Sequence, residues 1–370
     1  MSNRGSNRGK SVQLAKLFSA KIRRGEWKAG EKLDSISVLF ERYETTAPTL
    51  SRTFDILENQ GLLDRYAGKG CYVRKLSGLR YGLVFDGKCD EGGNIVHKSV
   101  FLKIFHQFCQ EHNAQYTVFN RVDDERSAQD LIRKLKENAF DVLLVSSRYF
   151  AEYSQKLSDE LTIPFIGLYS YKWLKTSVSF NFGRFIYQAG RYLADRGCKP
   201  IYLFYNADEN FEWSYNAGML SLDFFRDMLA CAGHFYHPGL LKECHLSIRS
   251  AYENTLALLQ KHHNDRIGII SSDSLLTIGI QQAAAEAGFF PPDNFLLASH
   301  VNEDSPLGEF PYPLITGTAM ISEQIALIAK LANAACNGDD SIIGHHDIEL
   351  VFSPKAVTKT PVTRLCTMGK

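Results

Sequence analysis

At 370 residues, with 45% hydrophobic and 22% charged side chains, the chain has room for two to three packed domains of about 150 residues each and is too apolar to be disordered. Its formal charge of +1 conceals a split: residues 1–77 carry 15 Lys/Arg against 8 Asp/Glu, and the rest carry 27 against 33. A basic module on an acidic body is the electrostatic footprint of a nucleic-acid reader. There is no apolar run of about 18 residues and no signal-peptide core, which argues against a membrane protein and predicts a cytoplasmic one. The eight cysteines are scattered without a C-x-x-C pair, as suits reduced thiols rather than a disulfide frame.

Residues 2–9 repeat Ser-Asn-Arg-Gly and have two readings, a disordered tail or a basic arm that carries Arg4 and Arg8 into a DNA groove. Leu14, Leu17, Phe18 and Ile22 mark a supporting helix, with Trp27 filling the small core behind it. From Asp34 to Arg74 the pattern is that of a winged helix-turn-helix. Ile36, Leu39, Phe40 and Tyr43 form an apolar stripe that Ser35 is placed to cap. The turn 44–47 follows, Pro48 opens a second helix with Leu50, Phe54 and Leu57 on one face, and Gly61 ends it. Two short β-runs, 62–66 and 71–74, are joined by Ala67-Gly68-Lys69-Gly70, a tip whose glycines let the backbone approach a phosphate. The expected DNA contacts are Ser35, Thr45, Thr46, Pro48, Thr49 and Arg52 at the start of the two helices, with Gly68, Lys69 and Gly70 at the wing.

The stretch from Ile22-Arg23-Arg24-Gly25-Glu26-Trp27 through Gly30-Glu31-Lys32-Leu33, and on to Gly68-Lys69-Gly70-Cys71-Tyr72-Val73, resembles the DNA-binding head of the GntR family of bacterial repressors. Two departures stand out. Asp34-Ser35-Ile36-Ser37 replaces the family's Pro-Ser-Glu-Arg, and Thr46-Ala47 replaces its Ser-Arg, so two phosphate-binding arginines that the resemblance implies are missing.

After a linker at 76–80 the pattern alternates strand and helix. Strands are expected at 81–86, 115–120, 142–146, 163–168, 201–205, 267–271 and 295–299. Helices are expected at 95–112, 125–138, 182–196, 214–232, 250–262, 275–287 and 321–337. This α/β series predicts parallel sheets covered by helices, and it holds too many strands for one small sheet, so residues 81–370 divide into two lobes with a ligand cleft at the strands' C-terminal ends.

Tyr81-Gly82-Leu83-Val84-Phe85-Asp86, Phe140-Asp141-Val142-Leu143-Leu144-Val145-Ser146, Ile163-Pro164-Phe165-Ile166-Gly167-Leu168, Tyr192 to Ile201, and Ser271-Ser272-Asp273 through Gly279 together resemble the effector domain of the LacI family, a periplasmic-binding-protein-like fold. That resemblance implies three crossings between lobes, placed near Lys199, 313–316 and 337–343. It also implies a ligand site drawn from Asp86, Ser146, Tyr169, Asn181, Tyr215, Asp273 and Asn302. Any of these is open to a second reading as a helix cap, Asp273 above all because a helix follows it. The family's clamping arginine falls at Tyr215 and its later aspartate at Val301 or Asn302, so both are replaced; Trp213, Tyr169 and Trp173 offer aromatic faces to a sugar ring instead.

Cys231-x-x-His234-x-x-His237 lacks a standard zinc frame, and no metal or cofactor is expected. The chain has no G-x-S-x-G, P-loop or H-E-x-x-H, and no enzyme activity is expected. The expectation is a homodimeric regulator that binds double-stranded operator DNA under control of a small-molecule effector, a sugar or sugar derivative, and represses carbohydrate-use genes. The alternatives are a regulator of the same build that senses a non-sugar molecule, and an α/β enzyme tethered to DNA.

Overall fold

A computed structural model of the chain describes residues 4–66, 68–74, 78–90, 94–137, 140–157, 163–206, 219–262, 265–305 and 310–354. The head begins with α1 (Arg4–Arg23), α2 (Ile36–Arg42) and α3 (Ala47–Asn59), followed by a hairpin of β1 (Leu63–Tyr66) and β2 (Gly70–Val73). Because α1 already runs from Arg4, the disordered-tail reading of residues 2–9 is corrected for all but the first residues. Leu14, Phe18 and Ile22 of α1 pack with Leu39, Leu50, Phe54 and Leu57, and Trp27 meets Phe18 edge-on at 5.0 Å. This core sets the angle between α2 and α3.

Local chemistry sets the helix ends. Ser35 caps α2 by accepting from Val38 N, and Thr46 caps α3 by accepting from Thr49 N, both at 3.4 Å. Pro48 is therefore the second helical residue rather than the first. At the other end Gly61 takes a φ of 65°, Gly61 N donates to Glu58 O and Leu62 N to Leu57 O. That is a complete Schellman stop, and it turns the chain straight into β1. An isolated bridge between Lys32 and Tyr72 adds a third strand segment to the wing.

The body runs β3 (Arg80–Val84), α4 (Asn94–Glu111), β4 (Gln115–Phe119), α5 (Glu125–Glu137), β5 (Val142–Val145), α6 (Arg148–Tyr153), β6 (Phe165–Gly167) and β7 (Thr176–Phe180). It continues with α7 (Phe182–Asp195), β8 (Ile201–Asn206), α8 (Met219–Cys231), β9 (Leu241–Cys244), α9 (Ile248–Leu259), β10 (Ile267–Ser271) and α10 (Ser274–Glu286). It ends with β11 (Phe295–Asn302), β12 (Ile315–Ala319), α11 (Ile321–Cys336), β13 (Gly344–Ile348) and β14 (Val351–Ser353). Two six-stranded sheets result, ordered β13-β7-β6-β5-β3-β4 and β14-β12-β11-β10-β8-β9. Most neighbouring strands are parallel, and β14 is antiparallel to β12. The α/β two-sheet architecture is thus the one expected.

The chain forms two compact units. One comprises Met1–Cys89, Lys103–Val178 and Ile325–His346, and the other Asp90–Leu102, Ser179–Gln324 and Asp347–Lys370. The head and the first sheet belong to the same unit. The expected crossings are corrected. The chain already changes unit at 89–90 and back at 102–103, which the expectation of three did not include, and the crossing placed near Lys199 falls at 178–179, because Phe185, Ile186, Ala189 and Leu193 of α7 pack into the core of the second sheet. The second falls within the start of α11, since β12 pairs with β11. The third falls at 346–347, within β13 and a few residues before β14. Strand β7, with polar Thr176, Ser177 and Ser179 all buried, carries too weak an apolar pattern to be read as a strand from sequence.

Candidate DNA-binding and effector sites

In the head, Thr46, Pro48 and Arg52 lie exposed at the start of α3, and Thr45 is half-buried beside them. Ser35 is exposed, and its hydroxyl is 2.8 Å from that of Ser37. Thr49 does not belong with this surface. It is 2% exposed and its hydroxyl lies 2.9 Å from that of Thr46, which corrects the expectation that it faces DNA. The stripe of Leu50, Phe54 and Leu57 draws the adjoining residue inward.

At the wing, Gly68 and Gly70 hold φ values of 72° and 106°, and Lys69 between them is exposed. The φ of Gly70 is what calls for glycine there; the nearest atoms to a Cβ at that position belong to the far end of the flexible Lys32 side chain, which can move aside. Several head arginines are already paired within the protein: Arg65 with Asp55, Arg74 with Asp64, and Arg42 with Asp34 at 2.7 Å. Among the described residues, Arg52 beside the α3 start and Lys32 and Lys69 at the wing are exposed cations of the kind that contacts phosphate.

In the first unit, three of the expected effector residues come together at the ends of β3, β5 and β6. Asp86 accepts from Cys89 N at 3.2 Å and from Arg148 N at 3.4 Å. The Cys89 thiol lies 3.6 Å from the Ser146 hydroxyl, and the Tyr171 hydroxyl donates to Ser146 O at 2.6 Å. Burial pushes the Tyr171 phenol far above its ordinary range, so it remains a donor. Tyr169 stands 51% exposed with its ring edge-on to Tyr171.

In the second unit, Asp273 sits between β10 and α10. One carboxylate oxygen caps α10, accepting from Leu275 N at 2.6 Å, and the other lies 2.9 Å from His97 Nε2. Burial works against its ionisation, but the neighbouring His97, the Leu275 N–H and His300 outweigh it and hold the carboxyl below its usual range. Both readings of Asp273 therefore have a physical basis, because the cap uses one oxygen and leaves the other facing a polar neighbour.

His300 and Asn302 alternate to the same face of β11 and are 4% and 8% exposed. Among the described residues no hydrogen-bond partner is found for His300 Nε2, Asn302 Oδ1 or Ser272 Oγ. Phe182 and Phe180 pack on His300 at 4.9 and 5.6 Å. Burial lowers its pKa to about 4, so it is neutral near pH 7. Buried polar atoms without partners at strand ends are what a hydrogen-bonding ligand satisfies.

Asn181 takes the second of its two readings, as a helix cap. It caps α7, accepting from Arg184 N at 3.3 Å, and its amide donates to Glu349 at 2.9 Å. Tyr215, like Trp213, lies outside the described residues. His97, His300, Cys89 and Tyr171 were not singled out from sequence. The signal for His300 is its spacing of two from Asn302 in a strand whose first four residues, 295–298, are apolar. Among the described residues no group of three His, Cys, Asp or Glu is arranged to hold a metal.

Residues 10–73 match the bacterial regulatory proteins of the gntR family. That is the head. No curated protein matches the chain by sequence. Among solved structures, the transcription regulator CcpA of Lactococcus lactis superposes with a TM-score of 0.60 at 14% identity, covering 76% of this chain and 100% of that one. The Escherichia coli transcriptional repressor ascG gives 0.60 at 16% identity, with 75% and 98% covered. A LacI family transcriptional regulator from Arthrobacter sp. FB24, solved in complex with lactose, gives 0.59 at 16% identity, with 76% and 100% covered. At these identities the likeness concerns the fold, and the body has the two-sheet α/β fold of LacI-type regulators. No helix among the described residues is long and apolar enough to cross a membrane.

Proposed function

We propose that the chain is a ligand-responsive transcription regulator that binds operator DNA as a homodimer and represses genes of carbohydrate use. The observation that carries this reading is a gntR-type head on residues 10–73 joined to a LacI-type body whose strand ends gather Asp273, His300 and Asn302. Two heads about one DNA turn (roughly 34 Å) apart suit a palindromic operator, and a head without the two phosphate-binding arginines that the family resemblance implies needs both half-sites for useful affinity. DNA affinity and effector affinity are then linked and change reciprocally.

A saccharide is favoured as effector because Asp273 Oδ2, Asn302 Oδ1 and His300 Nε2 are matched to hydroxyl groups, and a LacI family relative of this fold was solved with lactose. A non-sugar ligand is the second reading, supported by the two histidines placed around Asp273. The test is a thermal-shift screen of the purified protein against a panel of neutral sugars, amino sugars and sugar phosphates, followed by titration of each hit against operator-bound protein. A hit at about 100 times its Kd raises stability by about 2.7 kcal/mol. A panel with no hit, or a hit that leaves DNA affinity unchanged, overturns the reading.

A further inference from the structure

One cluster outside both sites joins the head to the first sheet. Asp141 precedes β5 and is buried, its side chain 3% exposed. Arg23, from the last turn of α1, pairs with its Oδ1, and so does Arg80 Nη2 at 2.7 Å. Arg80 N and Arg80 Nε donate to Oδ2 at 2.8 and 3.0 Å. Arg80 also donates through Nη2 to the carbonyl of Gln60, the C-terminal cap of α3. The Cys336 thiol of α11 donates to the Asp141 carbonyl at 3.3 Å. Both carboxylate oxygens are thus satisfied, each by a charged donor, with Arg23 only 11% exposed.

A carboxylate this dry is costly unless it stays paired, and removing one partner leaves an uncompensated charge inside the protein. The pairing therefore holds α1 and the end of α3 against the first sheet. The two strands that carry it are neighbours in register, from Tyr81↔Val142 to Val84↔Val145. Their N-terminal ends hold Arg80 and Asp141, and just beyond their C-terminal ends stand Asp86 and Ser146 of the effector cluster. A displacement of β3 against β5 at one end must be met at the other, because four consecutive residue pairs lie between.

We infer that Asp141, with Arg23 and Arg80, is a clamp that fixes the head on the first sheet and couples the recognition helix to the Asp86–Ser146 cluster through β3 and β5. The coupling half of this inference rests on the regulator reading above; the clamp itself does not. Asp141 and its arginines are positioning residues and touch neither DNA nor effector.

The test is hydrogen exchange followed by mass spectrometry on the full chain without ligand, in the wild type, Arg23→Gln, Asp141→Asn, and the head-surface control Arg74→Gln. The expected result is at least tenfold faster exchange of the amides at 15–23 and 57–63 in Arg23→Gln and Asp141→Asn. The amides of 267–271 and 295–302 should keep their rates, and Arg74→Gln should match the wild type throughout. Should Asp141→Asn fail to fold, Arg23→Gln, which removes the clamp from its rim, carries the same measurement. Coupling is read by adding Asp86→Asn. It should change exchange at 57–63 at least threefold in the wild-type background and leave it unchanged in the Arg23→Gln background. No acceleration in the head, acceleration shared equally by the strands of the second sheet, or an Asp86→Asn effect that persists in Arg23→Gln overturns the inference. Failure of the wild type to bind any DNA would remove the regulator reading but leave the exchange result for the clamp standing.

Discussion

His300 gives the sharpest quantitative expectation. It lies on β11 at 4% exposure between Phe180 and Phe182, and the titratable groups near it are Asp273 and His97. Burial lowers its pKa from 6.5 to about 4. A histidine depressed in this way is neutral in the folded state while the unfolded chain takes up a proton, so acid favours unfolding. Its contribution is fully present above about pH 6.5 and is lost as pH falls towards about 4, where the folded protein also becomes protonated. Taking 1.36 kcal/mol per pKa unit, the loss between about pH 7 and about pH 4.5 is about 2 kcal/mol. Urea unfolding of the wild type and His300→Gln at both values isolates this contribution from the carboxylates the two proteins share. The wild type should lose about 2 kcal/mol more than the variant on going to the lower pH. Equal losses in the two proteins would mean that the imidazole is hydrated or already charged in the fold, and the argument for a dry polar face on β11 would go with it.

Three further outcomes are expected. Lys69→Ala should weaken operator binding about equally across sequences and reduce the salt slope by about one, measured by fluorescence anisotropy over a salt series; an unchanged slope would take the wing off the DNA. Asp273→Asn keeps the α10 cap but loses the negative charge facing His97, and should weaken the sugar found by screening by about 1.5–3 kcal/mol in calorimetric titration; equal affinities would leave Asp273 as a cap alone. Gly61→Ala forces a Cβ into the left-handed region at φ 65° and should cost about 1–2 kcal/mol in head stability by denaturant melts; an unmoved midpoint would argue that the α3 stop is slack.

What sequence made legible was whatever depends on neighbours along the chain. Ser35, Gly61 and the α3 stripe follow from capping and helical period, and the structure realises them; of the α2 stripe Leu39, Phe40 and Tyr43 join the head core while Ile36 stays exposed. The alternating body pattern likewise announced two sheets. What it hid depends on partners far away. Thr49 was turned inward by a bond to Thr46 and by the core of α1, which no local pattern declares. Arg23, Arg80 and Asp141 are ordinary charged residues until the fold brings positions 118 apart together. His97 looks like one polar residue on a helix, and only the approach of Asp273 gives it significance.

The handover from β13 to β14 has a consequence for synthesis. The strands from β8 to β12 leave the ribosome as one uninterrupted run, so five of the six strands of their sheet can assemble during translation. The other sheet waits for its edge: Ser177 on β7 meets His345 on β13, a partner translated 168 residues later. Until then β7 presents a bare row of amides and carbonyls, the surface on which nascent chains stick to one another. A premature stop codon shortly before 344 would make that condition permanent and strip the edge from β12 as well. The damage from losing β13 and β14 should thus appear as aggregation of newly made chains rather than as a weakened operator complex.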